Sequence, residues 1–247
     1  MLHRCIALLL SLFVLSACHI SSSLPKNTSD QSLYQQSIVN AMSPEPDKVY
    51  DKLIPITRQN PDLTWKAFNG EDYLLVVSWK KSDSIYKPYM DSAFFPTQSW
   101  PIWISTAPQL LERMESDQYT DTNKRLLQLL GLPPNAQYNY FIEFWVRPAD
   151  LFRPCPDAEI TDRNCSLCFP ENVNAGHKAW INANRVSRYY SCELYDKYPW
   201  TQLGYTYDWN PENTDHVGLS EFVIQANAQI KVKATYTTQE YLKKSTE

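Results

Sequence analysis

The chain has 247 residues, of which 43% are hydrophobic and 20% charged, enough apolar sequence for a single large globular domain. Its formal net charge is −4, and no run of bases is longer than Lys80-Lys81 or Lys243-Lys244, so the basic footprint that a phosphate backbone demands is missing and no nucleic-acid partner is expected. The 5 glycines (Gly70, Gly131, Gly176, Gly204, Gly218) stand far apart among 17 prolines, which excludes a P-loop or G-x-G-x-x-G cradle and, with it, a nucleotide cofactor.

The chain opens Met1-Leu2-His3-Arg4 and is then apolar from Cys5 to Val14 except for Ser11, the order of a secretory signal. A spanning helix needs roughly 20 apolar residues, and this run stops near Ala17, so it reads as a cleaved leader. At the stop stands Leu15-Ser16-Ala17-Cys18, which resembles the lipobox of bacterial lipoproteins. The resemblance covers residues 1–18 only, and no family is recognised for the rest. It implies cleavage after residue 17 and a triacylated Cys18. Since each buried CH₂ contributes about 0.8 kcal/mol, several acyl chains make a lasting membrane anchor. In that family the residue after the cysteine helps to set the destination, and His19, in place of Asp, leans toward the outer membrane, with the folded part in the periplasm. Cleavage also removes Arg4, making the mature chain one unit more negative.

Residues 18–29 are small and polar, as suits a tether, and a single domain is expected over 30–247. Asp30 can cap a first helix carrying Leu33, Ile38 and Met42, which Ser43-Pro44-Glu45-Pro46 ends. Tyr73 to Trp79 reads as a buried strand, and Ile102-Trp103-Ile104 as another. Ser105 or Thr106 then caps a helix through Leu110, Leu111 and Met114. A further helix holds Leu126, Leu127, Leu129 and Leu130 and stops at Gly131, with Pro133-Pro134 behind it. Tyr138 to Val146 has a strand pattern, as does the stretch from Leu219 to Tyr236. Thr237-Thr238-Gln239-Glu240 has the spacing of a capping box ahead of a short last helix. Helices and strands mix without regular βαβ alternation, so the expected class is α+β with a largely antiparallel sheet and a disulfide-pinned loop region.

The mature chain keeps Cys155, Cys165, Cys168 and Cys192 besides Cys18, an even number for an oxidising compartment. Two structural disulfides are expected. A bond between Cys165 and Cys168 would close too tight a loop, so each should pair with Cys155 or Cys192. A redox role for Cys165-Ser166-Leu167-Cys168 lacks the helix N-terminus that lowers a thiol pKa, because Phe169-Pro170 follows. A zinc ribbon lacks its second close pair.

From His177 to Trp209 run Trp180, Tyr189, Tyr190, Tyr195, Tyr198, Trp200, Tyr205, Tyr207 and Trp209. Flat rings with polar tips are what a glycan or peptide surface uses, which marks Trp180, Tyr190, Trp200, Tyr205, Tyr207 and Trp209 as a candidate binding surface. The alternation Tyr205, Tyr207, Trp209 fits the core face of a strand equally well, and better on frequency.

Catalytic chemistry is harder to find. His19, His177 and His216 make no H-E-x-x-H, and no metal or cofactor site is expected. Gly218-Leu219-Ser220-Glu221-Phe222 begins like a nucleophile elbow but lacks its last glycine, and no histidine follows it. Asp208 to Glu212 alternates oxygens as a calcium loop does, without the turn glycine. The reading is therefore of a non-catalytic envelope lipoprotein that binds a protein or cell-wall component. Two alternatives stand beside it: a glycan or peptidoglycan hydrolase using acids such as Glu143, Asp208 or Glu212, and an inhibitor or immunity lipoprotein presenting a disulfide-fixed loop.

Overall fold

The computed structural model describes residues 29–90, 94–189 and 197–244. Cys18, Tyr190 and Cys192 lie outside the described residues.

In chain order the elements are α1 (Asp30–Ala41), β1 (Trp65–Phe68), β2 (Glu71–Lys80), β3 (Phe95–Pro96), β4 (Ile102–Thr106), α2 (Ala107–Ser116) and α3 (Thr122–Leu129). There follow β5 (Tyr140–Val146), β6 (Leu151–Phe152), α4 (Ala175–Tyr189), β7 (Tyr205–Tyr207), β8 (Val217–Ser220), β9 (Phe222–Ile224), β10 (Gln229–Thr237) and α5 (Thr238–Leu242). Eight strands form one sheet in the order β3-β10-β5-β2-β4-β9-β6, with β1 on β2, and β7 pairs β8 separately. All these pairings are antiparallel, so the expected α+β class holds. No helix among the described residues is long and apolar enough to cross a membrane.

The centre of the sheet is the β2–β5 pair, in register from Leu74↔Val146 to Lys80↔Tyr140. Alternate side chains point to opposite faces. Tyr73, Leu75, Val77, Trp79, Phe141 and Trp145 pack in one cluster with the apolar faces of α1, α2 and α3. Leu74, Val76, Ile142, Phe144 and Val146 join Ile102, Ile104, Phe222 and Ile230 in a second. Both faces are buried, which is why Leu74-Leu75-Val76-Val77 is a continuous apolar run rather than an alternating one. Each such side chain contributes about 1.5–3 kcal/mol when fully buried.

Local chemistry sets the boundaries. Ser29, not Asp30, caps α1, its hydroxyl accepting from Ser32 N–H. β1 and β2 form a hairpin that the sequence reading did not foresee. Its two-residue turn is Asn69-Gly70, both with positive φ (52° and 82°), the backbone that Asn and Gly adopt most readily. Asp121 caps α3 by accepting from Lys124 N–H at 3.0 Å. The capping box of α5 is complete, with Thr237 and Glu240 satisfying one another's backbone N–H. α4 was also unforeseen. Only Ile181 and Tyr189 of its residues are buried, too few to give a helical stripe, while Asn174 Oδ1 accepts from the N–H groups of Gly176 and His177 at its start.

Cys155 pairs with Cys165, one of the pairings the spacing allowed. Cys168 is exposed and has no disulfide among the described residues. The bridged loop is tied down along its length. Leu53 N–H donates to Arg163 O (2.9 Å) and Ile56 N–H to Ile160 O (2.7 Å). Arg153, fully buried beneath it, pairs with Asp162 and donates to the carbonyls of Ile54 (3.0 Å) and Asn164 (3.1 Å). Gly204 passes so close that a Cβ there would sit 2.7 Å from Cys165 Sγ. Replacing both bridged cysteines by serine is expected to lower stability by about 2–3 kcal/mol, from the entropy returned to a ten-residue loop in the unfolded chain. Urea denaturation with and without reductant measures it, and equal midpoints for oxidised and reduced protein would refute a stabilising role.

Candidate functional site

Among the described residues most of the aromatic segment is core, the alternative that its alternation favoured over a binding surface. Trp200 and Trp209 are 4% and 2% exposed, and Tyr205 and Tyr207 are buried too. Their polar tips are spent inside the protein. Trp209 Nε1 donates to Leu127 O (3.1 Å) and Leu132 O (3.0 Å), Trp200 Nε1 to Pro154 O (2.9 Å), and Tyr205 Oη to Lys48 O (2.9 Å). Trp180 is half-buried, its ring edge-on to Phe152 at 4.9 Å and to Trp200 at 6.2 Å. Tyr207 and Trp209 join the main core cluster beneath α1 and α3, whereas Tyr205, across a register shift in the β7–β8 pair, packs with Leu53, Cys155 and Cys165 in a separate cluster, and the intervening Thr206 and Asp208 are buried as well.

The acids named for hydrolysis are structural as well. Asp208, fully buried, takes a two-pronged contact from Arg125 (2.8 and 2.6 Å). Its oxygens are therefore committed, which also removes the calcium-loop reading. Glu143, 1% exposed, is held by Lys233 (2.9 Å) and Lys244 (2.5 Å). Glu212 is exposed, on the turn after β7. No pair of free carboxylates in a cleft is formed by these three. Among the described residues no group of three His, Cys, Asp or Glu is placed to hold a metal ion. The disulfide loop lies against residues 53–56, held by Leu53 N–H on Arg163 O and Ile56 N–H on Ile160 O.

What the fold does build is a cavity of about 430 Å³. Its floor comes from β2 and β4, through Val77, Trp79, Trp103 and Ile104. The opposite wall comes from Leu130 and Leu132 after α3 and from Trp200 and Tyr207. Two of the aromatics marked in the sequence thus serve the cavity from within the core. Lys81, Tyr138 and Tyr198 belong both to this cavity and to a polar surface groove, so they mark where it opens. A volume of this size suits a small molecule, and a mostly apolar lining with a few placed polar groups is how such sites are made.

Three ionisable groups that the sequence reading did not single out converge there: Arg188 from the last turn of α4, Glu221 between β8 and β9, and Lys80 at the end of β2. The guanidinium of Arg188 sits over three rings, 5.0 Å from Trp103, 5.7 Å from Tyr198 and 5.9 Å from Trp200. Among the described residues it has no ion pair within 4.0 Å, and its Nε is buried with no hydrogen-bond partner. Glu221 lines the cavity, its backbone N–H donating to Gly204 O (2.9 Å) and its carboxyl lying within the electrostatic reach of Arg188. Burial pushes that carboxyl up to about 8, against the opposing pull of Arg188. Burial likewise brings Lys80 down to about 8. A titratable group displaced this far in a cavity marks a functional site more often than a surface one does.

Two of the lining hydroxyls are occupied. Ser78 Oγ donates to Trp103 O (2.8 Å), and Thr206 Oγ1 donates to Leu129 O (2.6 Å) and accepts from Leu219 N–H (2.8 Å). No histidine stands among the described lining residues. One signal in the sequence pointed here. Glu221 is the single acid between Leu219 and Ile224, an apolar strand run where a carboxyl is costly. Arg188 gave none, because its ring partners Trp103, Tyr198 and Trp200 stand 85 residues upstream and 10 and 12 downstream. No family model matches the chain, and no curated protein or solved structure matches it either.

Proposed function

We propose that the protein is an envelope lipoprotein, anchored through Cys18, whose folded domain is a non-catalytic binding module that receives a ligand in the cavity between β2, β4 and α4. The observation that carries the binding role is the Arg188 guanidinium, without an ion pair within 4.0 Å among the described residues and framed by aromatic rings in a cavity of small-molecule size. An isolated buried cation is costly unless something pairs with it, and a site that keeps one open is built for a partner that comes and goes. The anchor rests on the order of charge, apolar run, small residues and cysteine over residues 1–18. The domain at the end of the tether then meets its ligand at the membrane surface, with a cell-wall component or an envelope protein as its source.

Two measurements test this. The Cys18→Ser chain, expressed in a bacterial host, is expected to incorporate no labelled palmitate and to keep its leader of 17 residues, because lipidation precedes cleavage. Normal processing of that variant would refute the anchor. Photocrosslinking from position Lys81, at the mouth of the cavity, is expected to capture an envelope ligand in living cells. Capture that persists unchanged after Leu132→Trp fills the cavity would show that ligand to bind elsewhere.

A further inference from the structure

The chemistry of the lining narrows the ligand further, given the reading of the domain as a binding module. Among the described residues the cavity presents three cations, Lys80, Lys81 and Arg188, against one carboxyl, Glu221. Arg188 is the one of the three that sits among three aromatic rings. Its ring contacts hold the guanidinium plane among Trp103, Tyr198 and Trp200, and no ion pair within 4.0 Å neutralises it. A guanidinium offers a planar fork of donors that fits a carboxylate with two parallel bonds. The same cavity is lined by apolar side chains, among them Leu110, Leu130 and the ring of Trp103.

We infer that this cavity takes a small amphiphilic anion, an aryl or alkyl carboxylate, whose carboxylate pairs with Arg188 while its apolar body lies against Trp103, Trp200 and Leu130. Glu221 decides whether the site is receptive. It faces Arg188 from the β8–β9 corner, and the other ionisable groups around them are Lys80 at the end of β2 and Lys81 just after it, Tyr34 from α1, Tyr138, Tyr189 from α4, Tyr198, and Tyr207 from β7. Below about pH 8 the carboxyl is neutral and Lys80 is charged, so the cavity is positive. Above that pH Glu221 becomes an anion and Lys80 loses its charge. Both changes disfavour an anionic ligand, so affinity falls as pH rises through 8.

The test uses the full lipidated chain in nanodiscs, with empty nanodiscs as the blank, and three probes that share one body: phenylbutyrate, phenylbutanol and phenylbutylammonium. Binding is read by equilibrium dialysis and by the fluorescence of Trp79, Trp103 and Trp200. Phenylbutyrate is expected to bind best. Arg188→Gln should weaken it about 10- to 100-fold, the loss of a hydrogen bond to a charged group, and leave phenylbutanol within about twofold. Arg188→Lys, which keeps the charge but not the fork, should fall between the two and covers the case in which the glutamine variant does not fold. Between pH 7 and pH 9.5 phenylbutyrate should weaken at least about tenfold, and Glu221→Gln should remove most of that dependence. Equal binding of acid and alcohol, or tighter binding of the ammonium probe, overturns the anion assignment alone. Failure of all three probes to bind, or binding undiminished by Leu132→Trp, overturns the cavity as the binding site.

Discussion

Arg125→Met is expected to destabilise the protein by about 3–5 kcal/mol, the usual cost of leaving one partner of a buried ion pair alone. Arg125 and Asp208 are 3% and 0% exposed. Arg125 uses both terminal nitrogens on Asp208 and its Nε on Asp117 (2.7 Å), and Arg113 joins Asp117 (3.0 Å) to the same group. Burial works against the charged guanidinium, yet the bonds and charge of Asp208 and Asp117 outweigh it and hold Arg125 above its ordinary value. Removing it leaves Asp208 with Arg113 at 3.5 Å, Asn213 Nδ2 (3.0 Å) and the backbone of Asn210 (3.1 Å), which do not match a two-pronged guanidinium. The double variant Arg125→Met with Asp208→Leu should recover a large part of the loss, because no isolated charge then remains. Urea denaturation of the two variants measures this. A single variant within about 1 kcal/mol of the parent would show that the pair does not hold α3 to β7, and an unrecovered double variant would point to packing rather than charge.

Trp209→Ala should cost about 3–5 kcal/mol, the range for emptying a buried tryptophan site. The ring is edge-on to Tyr34 of α1 at 6.1 Å, and its Nε1 reaches two carbonyls at the end of α3. The substitution therefore opens a void and strips a donor from carbonyls that a helix end leaves short of partners. Trp100, 72% exposed, is the control: its replacement by alanine should change stability by less than about 0.5 kcal/mol. Thermal and urea unfolding separate the two positions. If Trp209→Ala proved neutral for stability but lost ligand binding, the aromatic segment would be a binding surface after all, contrary to its burial.

These outcomes bear on what could be read from residues in a row. Elements that rest on local chemistry were legible. Pro108 near the start of α2, Gly131 after α3, the Thr237–Glu240 box and the apolar β-branched run in β2 each act within a few residues, and each appears where its own chemistry puts it. The Asn69-Gly70 turn was equally legible in principle, since two residues with positive φ are a local demand. α4 was not, because a helix with two buried positions carries almost no stripe.

Residue types named for function had a different fate. An exposed ring and a buried ring are the same letter, so the aromatic count in 177–209 could not say which way Trp200, Tyr205, Tyr207 and Trp209 face. Nor could the acid count say that Asp208 and Glu143 are already held by Arg125, Lys233 and Lys244, partners 83 to 101 residues away. By itself the sequence determined the α+β class, the local starts and stops of most elements, and the case for an anchored N-terminus at Cys18. Only the tertiary structure decided which polar groups are spent and which stay open. That choice depends on long-range contacts, and the cavity groups Lys80, Arg188 and Glu221 meet only because β2, α4 and the β8–β9 corner, widely separated in the chain, fold against one another.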